Sequence, residues 1–235
     1  MLPNQRIRVM VVDDSIVARS LIIKGLSAHP NIEVIGYAIN TWDAKRKIPQ
    51  LKPDVLTLDV EMPGQSGLEF LREYIPLHPI PVVLCSSLDL RVFDALEAGA
   101  VDFVRKPMTP EQNASFITSL TQKVVTASAA KVRVSSRVTA HAADNAPPVS
   151  ATTSLGNAAA LNSTIIGLGA STGGTDATLE VLKRLPADIP GMVIVQHMPT
   201  GFTKMYADRL NRLCQMEVRE AQNGDEIRRG LALVA

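Results

Sequence analysis

The 235-residue chain is poor in cysteine and in aromatic residues, and neither sign of charge is in excess. Its two cysteines, Cys85 and Cys214, each fall inside an apolar pattern. That usage argues against a disulfide framework and suits a reducing compartment. With 24 Lys+Arg against 23 Asp+Glu, the chain lacks the basic surplus that would make nucleic acid its main partner. No apolar run approaches the roughly 20 residues that span a bilayer. The opening MLPNQRIRVMVVDDS has no secretory-signal plan, since its short apolar run ends in two aspartates. The expected setting is cytoplasmic, with no direct membrane insertion.

What is present is a repeated alternation. The runs RVMVV (8–12), IEVIG (32–36), VLTL (55–58), VVLC (82–85) and VDFV (101–104) are rich in Val, Ile and Leu, and most lack polar alternation. Strands of that kind are buried on both faces, as in a parallel sheet. Amphipathic stretches separate them; over 15–28, helical spacing puts Val17, Leu21, Ile22 and Leu26 on one face. Residues 7–125 therefore predict an α/β fold, a five-stranded doubly wound parallel sheet. Pro49 and Pro76 fall late in the second and third helical stretches and are expected to shorten them.

The texture then changes. From Ile117 to Thr164 there is no Phe, Trp or Tyr, and residues 126–163 are mostly Ala, Ser, Thr and Asn around Pro147 and Pro148. Such a segment buries too little apolar area to offset its ordering entropy, so it is expected to be a flexible linker. Over 164–235 a second α/β pattern follows: TIIGLG, a helix at about 173–184, MVIVQ (192–196), a helix at 202–213, then MEVRE and LALVA as short strands. Two or three parallel strands alone would leave an edge unpaired. About 70 residues is close to the lower limit for a self-sufficient core, so this part reads as the N-terminal portion of a second parallel-sheet domain, truncated at its C-terminus.

Asp13 and Asp14 directly follow the first strand and Asp59 the third, where loops of a doubly wound sheet converge on one crevice. Three carboxylates there repel one another unless a divalent cation joins them, and all-oxygen donors suit Mg²⁺. Ser86 follows the fourth strand and Lys106 the fifth. A hydroxyl, an ammonium and a cation around one carboxylate are what an acyl-phosphate needs. A lone aspartate after a strand is commonly a helix N-cap, but that does not account for a set spread over four strand ends.

VVDDS, LTLDVEMPGQSGLEFL, PVVLCSSL and GAVDFVRKP resemble a response-regulator receiver domain, which is flavodoxin-like, over about residues 7–125. The resemblance implies that Asp59 is the phosphoacceptor and that Asp13 and Asp14 position Mg²⁺. It also implies a Glu61 backbone carbonyl on the metal, Ser86 and Lys106 against the phosphoryl group, and Phe103 as the aromatic switch residue. After Ser87 the segment DLRVFD is about four residues shorter than the family pattern, roughly one helical turn.

In the second pattern, GASTGG (169–174) is not a Walker loop, because no Lys-Ser/Thr follows its last glycine. A dinucleotide fingerprint would need glycine where Thr172 stands. The nucleophile reading fits better. Ser171 sits at a strand-to-helix turn among Gly169, Ala170, Gly173 and Gly174, small residues that let a substrate carbonyl approach. The N–H groups of the next helix could stabilise an oxyanion. A serine needs a base, and His197 ends the neighbouring strand; the other histidines, His29, His78 and His141, lie elsewhere.

IGLGASTGGTDA, VIVQHMPTGFTKMYADRLN and VREAQNGDEI resemble the catalytic domain of chemotaxis protein-glutamate methylesterases, the CheB family. The resemblance implies hydrolysis of γ-glutamyl methyl esters on methylated chemoreceptors, with glutamine deamidation, by Ser171 as nucleophile and His197 as general base. It also implies a chemotaxis histidine kinase as phosphodonor. The family's third catalytic residue, an aspartate in a GMGxDG-like segment, has no counterpart here. A catalytically inactive receiver protein, acting as phosphoryl acceptor or docking competitor, is the alternative. A DNA-binding output is disfavoured, since 164–235 alternates β and α without a helix-turn-helix pattern or basic face.

Overall fold

The computed structural model of the chain describes residues 6–87, 92–130, 162–198 and 201–235. Most of the segment read as a linker lies outside these residues, as does the start of the shortened stretch after Ser87. The chain forms two compact units, one within residues 1–135 and one within 136–235.

The first unit runs β1 (Ile7–Val12), α1 (Ile16–Ser27), β2 (Ile32–Ala38), α2 (Thr41–Leu51), β3 (Val55–Asp59), α3 (Gly67–Tyr74), β4 (Val82–Ser86), α4 (Val92–Glu97), β5 (Asp102–Arg105) and α5 (Asn113–Ser128), with a 3₁₀ turn at Pro110–Gln112. All strand pairs are parallel, in the order β2-β1-β3-β4-β5. β3 and β4 are buried at every residue, as their unbroken apolar runs require. On one face Val9, Val11, Val83 and Val104 pack with Ile22 and Leu26 of α1 and Phe116, Leu120 and Val124 of α5. Successive strand residues point to opposite faces, which sends Met10, Leu56 and Leu84 to the other layer. Phe70 and Leu71 of α3 and Leu96 of α4 are buried as well.

Local chemistry sets the helix starts. The Asn40 side chain accepts from Asp43 N at 2.8 Å, and Ser66 and Glu69 form a reciprocal capping box on α3. Two expectations need correcting. Val17 does not lie on the buried face of α1: Ile22 and Leu26 do, whereas Val17 is 80% exposed. The first turn of α1 stands at the carboxyl edge of the sheet, beside Met108 and Pro110, where no layer covers it. Pro49 does not end α2, which continues to Leu51. So late in a helix, proline forfeits one of only a few remaining backbone bonds. Pro76 lies just beyond the last residue of α3.

The second unit runs β6 (Ile165–Ala170), α6 (Gly174–Leu182), β7 (Gly191–Gln196), α7 (Phe202–Leu213), β8 (Glu217–Glu220) and β9 (Leu231–Val234). It holds four parallel strands, at the four runs read from the sequence, in the order β6-β7-β9-β8. Leu210 and Tyr206 of α7 are fully buried, and the Tyr206 hydroxyl donates to the Thr175 carbonyl at 3.1 Å, joining α7 to α6. Burial also raises the Tyr206 phenol to about 12.

Candidate functional site

The first sheet reverses its winding between β1 and β3, and open α/β sheets bind ligands at that switch point. Asp13 and Asp14 follow β1, and Asp59 is the last residue of β3, so all three stand there. One carboxylate oxygen from each lies within 4.8 Å of the others. Asp13 and Asp59 are buried and Asp14 is exposed. Backbone donors orient the buried pair: Asp13 Oδ1 accepts from Ser15 N at 2.9 Å, and Asp59 Oδ1 accepts from Glu61 N at 3.1 Å. Glu61 is thus tied to the site through its backbone, and its side chain is exposed.

Lys106 reaches in from the loop after β5. Its Nζ lies 2.6 Å from Asp59 Oδ2 and 2.8 Å from Asp13 Oδ2. Lys106 N also donates to the Ser86 carbonyl at 2.8 Å, which fixes the loop against the end of β4. Burial pushes the Asp59 carboxyl above its ordinary range, against the pull of Lys106. Burial acts to lower the Lys106 ammonium, but Asp59 and Asp13 outweigh it and hold it above its usual value. Ser86 is buried at the end of β4, and Phe103 is buried on β5 with its ring 6.5 Å from that of Phe93. Gly67 explains how α3 approaches so closely: a Cβ there would overlap the Asp59 carbonyl. The carboxylate trio is a set of hard oxygen donors that fits a divalent cation.

A groove of about 540 Å³, lined by Val17, Ala18, Leu21, Met108, Pro110 and Phe116, adjoins Lys106. This gives the exposed first turn of α1 an apolar concave neighbour rather than bare solvent.

In the second unit, Ala170 pairs with Gln196 at the ends of β6 and β7, so the residues that follow, Ser171 and His197, emerge side by side. His197 N donates to the Ala170 carbonyl at 3.1 Å, extending the ladder one step beyond the strands. Both side chains are exposed. Among the described residues no hydrogen bond joins Ser171 Oγ to the His197 ring, and no carboxylate bonds that ring. Ser171 precedes α6, whose first residue, Gly174, donates its N–H to the Ser171 carbonyl at 2.7 Å.

The small residues of the turn divide in two. Gly169 and Gly173 face open space, whereas a Cβ on Gly174 would lie 2.5 Å from Gln196 Oε1. Gly174 is therefore small for packing rather than for substrate approach. Sequence reasoning missed Gln196, a buried polar residue at the end of an apolar strand. Its type and place were visible, but its bonding partner was not.

Residues 9–118 match the family model for the response regulator receiver domain, and residues 166–235 match that for CheB methylesterase. The chain is 45% identical over 233 residues to a protein-glutamate methylesterase/protein-glutamine glutaminase of Syntrophomonas wolfei, covering 98% of this chain and 65% of that protein. It is 46% identical over 240 residues to one of Syntrophotalea carbinolica, covering 98% and 66%. The chain belongs to the CheB family. Its first unit is similar to the crystal structure of the response regulator domain of Thermotoga maritima CheB, at 34% identity and a TM-score of 0.51, over 54% of this chain and 99% of that one. The chain thus spans slightly less than two thirds of the length of these relatives. No helix among the described residues is long and apolar enough to cross a membrane.

Proposed function

We propose that this CheB-family chain works in the cytoplasm as a phosphorylation-regulated protein-glutamate methylesterase and glutaminase, with methylated chemoreceptors as substrate and a chemotaxis histidine kinase as phosphodonor. Residues 7–125 form the receiver and 164–235 the methylesterase region, joined by 126–163. Asp59 is the phosphoacceptor. Asp13, Asp14 and Asp59, with the Glu61 carbonyl, hold Mg²⁺, which when bound neutralises charge on the phosphoryl oxygens. Lys106 supplies a further cation, Ser86 a hydroxyl, and Phe103 senses the change from its buried position. The apolar groove beside Lys106 suits a folded protein as donor.

The juxtaposition of Ser171 and His197 at the ends of two paired strands carries the esterase reading. Ser171 Oγ attacks the γ-carbonyl while His197 takes the hydroxyl proton, and methanol leaves with that proton. Water, activated by the same imidazole, then releases the glutamate; a glutamine substrate loses ammonia instead. The lack of any carboxylate bonded to the His197 ring among the described residues favours the alternative, a catalytically inactive receiver that accepts phosphoryl groups or competes for docking. Methyl-labelled receptor separates the two. Methanol release that rises with a small phosphodonor and is lost in Ser171→Ala supports the esterase. Phosphorylation without any methanol release supports the alternative.

A further inference from the structure

Gln196 ends the otherwise largely apolar β7, yet it is a carboxamide and only 6% exposed. Its Nε2 donates to the Ser171 carbonyl at 2.9 Å and reaches the His197 carbonyl at 3.5 Å. Its Oε1 is buried with no hydrogen-bond partner among the described residues and is wedged against Gly174. A buried amide oxygen without a partner costs stability. What the carboxamide gains in return is its grip on the backbone of Ser171 and His197. The Ser171 carbonyl has two lone pairs; one receives Gly174 N–H and the other Gln196 Nε2. Its direction is therefore fixed from two sides. The Ser171–Thr172 peptide is trans, so the Thr172 N–H points opposite to that carbonyl, away from the buried carboxamide.

We infer that Gln196 is a positioning residue of the Ser171 site, holding the Ser171–Thr172 peptide so that the Thr172 N–H is presented as an oxyanion donor. This rests on the reading of Ser171 as nucleophile. In that arrangement, charge that develops on the attacked carbonyl oxygen meets a donor already oriented before reaction, which is where such donors are most effective. Gln196 touches neither substrate nor reacting atoms; it acts through the peptide it holds.

The test uses the whole chain as wild type, Gln196→Met, Gln196→Glu and Ser171→Ala, with a fluorophosphonate that phosphonylates nucleophilic serines and releases fluoride. Met matches the length of Gln and fills the same space without a donor. The expected result is a change in the Ser171 carbonyl ¹³C and Thr172 ¹⁵N chemical shifts in both Gln196 variants. The maximal phosphonylation rate should fall on the order of 10-fold or more, with half-saturation little changed, as expected for a transition-state donor put out of place. A role in packing alone would leave Gln196→Met like the wild type in both measurements, and that result overturns the inference. Unchanged shifts in Gln196→Met overturn it whatever the reactivity. Labelling of Ser171→Ala at the wild-type rate, or a wild type that is not labelled at Ser171, counts against the nucleophile reading instead, and the chemical shifts still decide the peptide's restraint.

Discussion

Lys106 Nζ stands 2.6 Å from Asp59 Oδ2, Asp59 ending β3 and Lys106 following β5 at the same sheet edge. The contact sets one buried charge against another, and burial raises the Asp59 carboxyl despite it. A carboxyl raised in the folded state binds its proton more readily folded than unfolded. Ionisation therefore destabilises the fold as pH rises from the unfolded value of 3.8 through the higher folded one. In metal-free buffer, Asp59→Asn is expected to melt above the wild type at pH 7, with the difference closing below pH 3.8. Thermal scans across that range check it. The same variant is expected to take up no acid-labile phosphate from a small phosphodonor; undiminished labelling would place the acceptor elsewhere.

Lys123 and Asp102 form a second ion pair, buried on both sides, at 2.7 Å. The Asp102 carboxylate also accepts from Phe103 N at 2.7 Å, and Lys123 Nζ lies 5.8 Å from the centre of the Phe103 ring. Removing one partner strands the other charge in the core, so Lys123→Met is expected to cost about 3–5 kcal/mol. Lys123→Met combined with Asp102→Asn is expected to recover most of that loss. Urea unfolding with an unchanged slope measures both; equal losses in the single and double variants would argue against a paired role.

The two thiols differ in accessibility. Cys85 is fully buried in β4, paired beside Asp59 of β3, and burial pushes its thiol far above the ordinary range. Cys214 is half-buried and raised by the same cause. The thiolate is the reactive form, so a raised pKa means slower alkylation at any given pH. Iodoacetamide at pH 8 is expected to modify Cys214 first and to reach Cys85 only after unfolding in denaturant. Peptide mass mapping reads the order.

Gly67 offers a test by addition rather than removal. A methyl group at this position would overlap the Asp59 carbonyl oxygen and press on Val60. Gly67→Ala is expected to destabilise the first unit by about 1–3 kcal/mol, the usual range for forced overpacking. It should also slow phosphate uptake, because β3 must shift to relieve the clash. Uptake at the wild-type rate would show that α3 yields instead of β3.

β3 and β4 were legible because a parallel strand buried on both faces writes itself as an unbroken apolar run, whereas β8, Glu217–Glu220, carries no such run. The carboxylates were legible because strand ends of such a sheet share one edge. Other features depend on tertiary arrangement. Periodicity placed Val17 on the same helix face as Leu26, but cannot tell that the first turn of α1 lies beside the sheet edge rather than over it. Nothing local indicates that β9 pairs between β7 and β8, since strand order is settled by which edges remain free. Gln196 illustrates the same limit in the second site: its polarity is visible in VIVQHM, whereas the Ser171 carbonyl it bonds lies in the turn after β6, distant in sequence.

Every strand pair in the two sheets is parallel. No pair can therefore close through a tight hairpin, and each strand must wait for a crossover to bring back a distant partner, Val9 to Val55 or Met192 to Ala232. Loop closure precedes the reward of pairing, so both units are expected to fold late and cooperatively. Until then, the apolar runs that identify the strands remain exposed on the growing chain, where other chains can reach them.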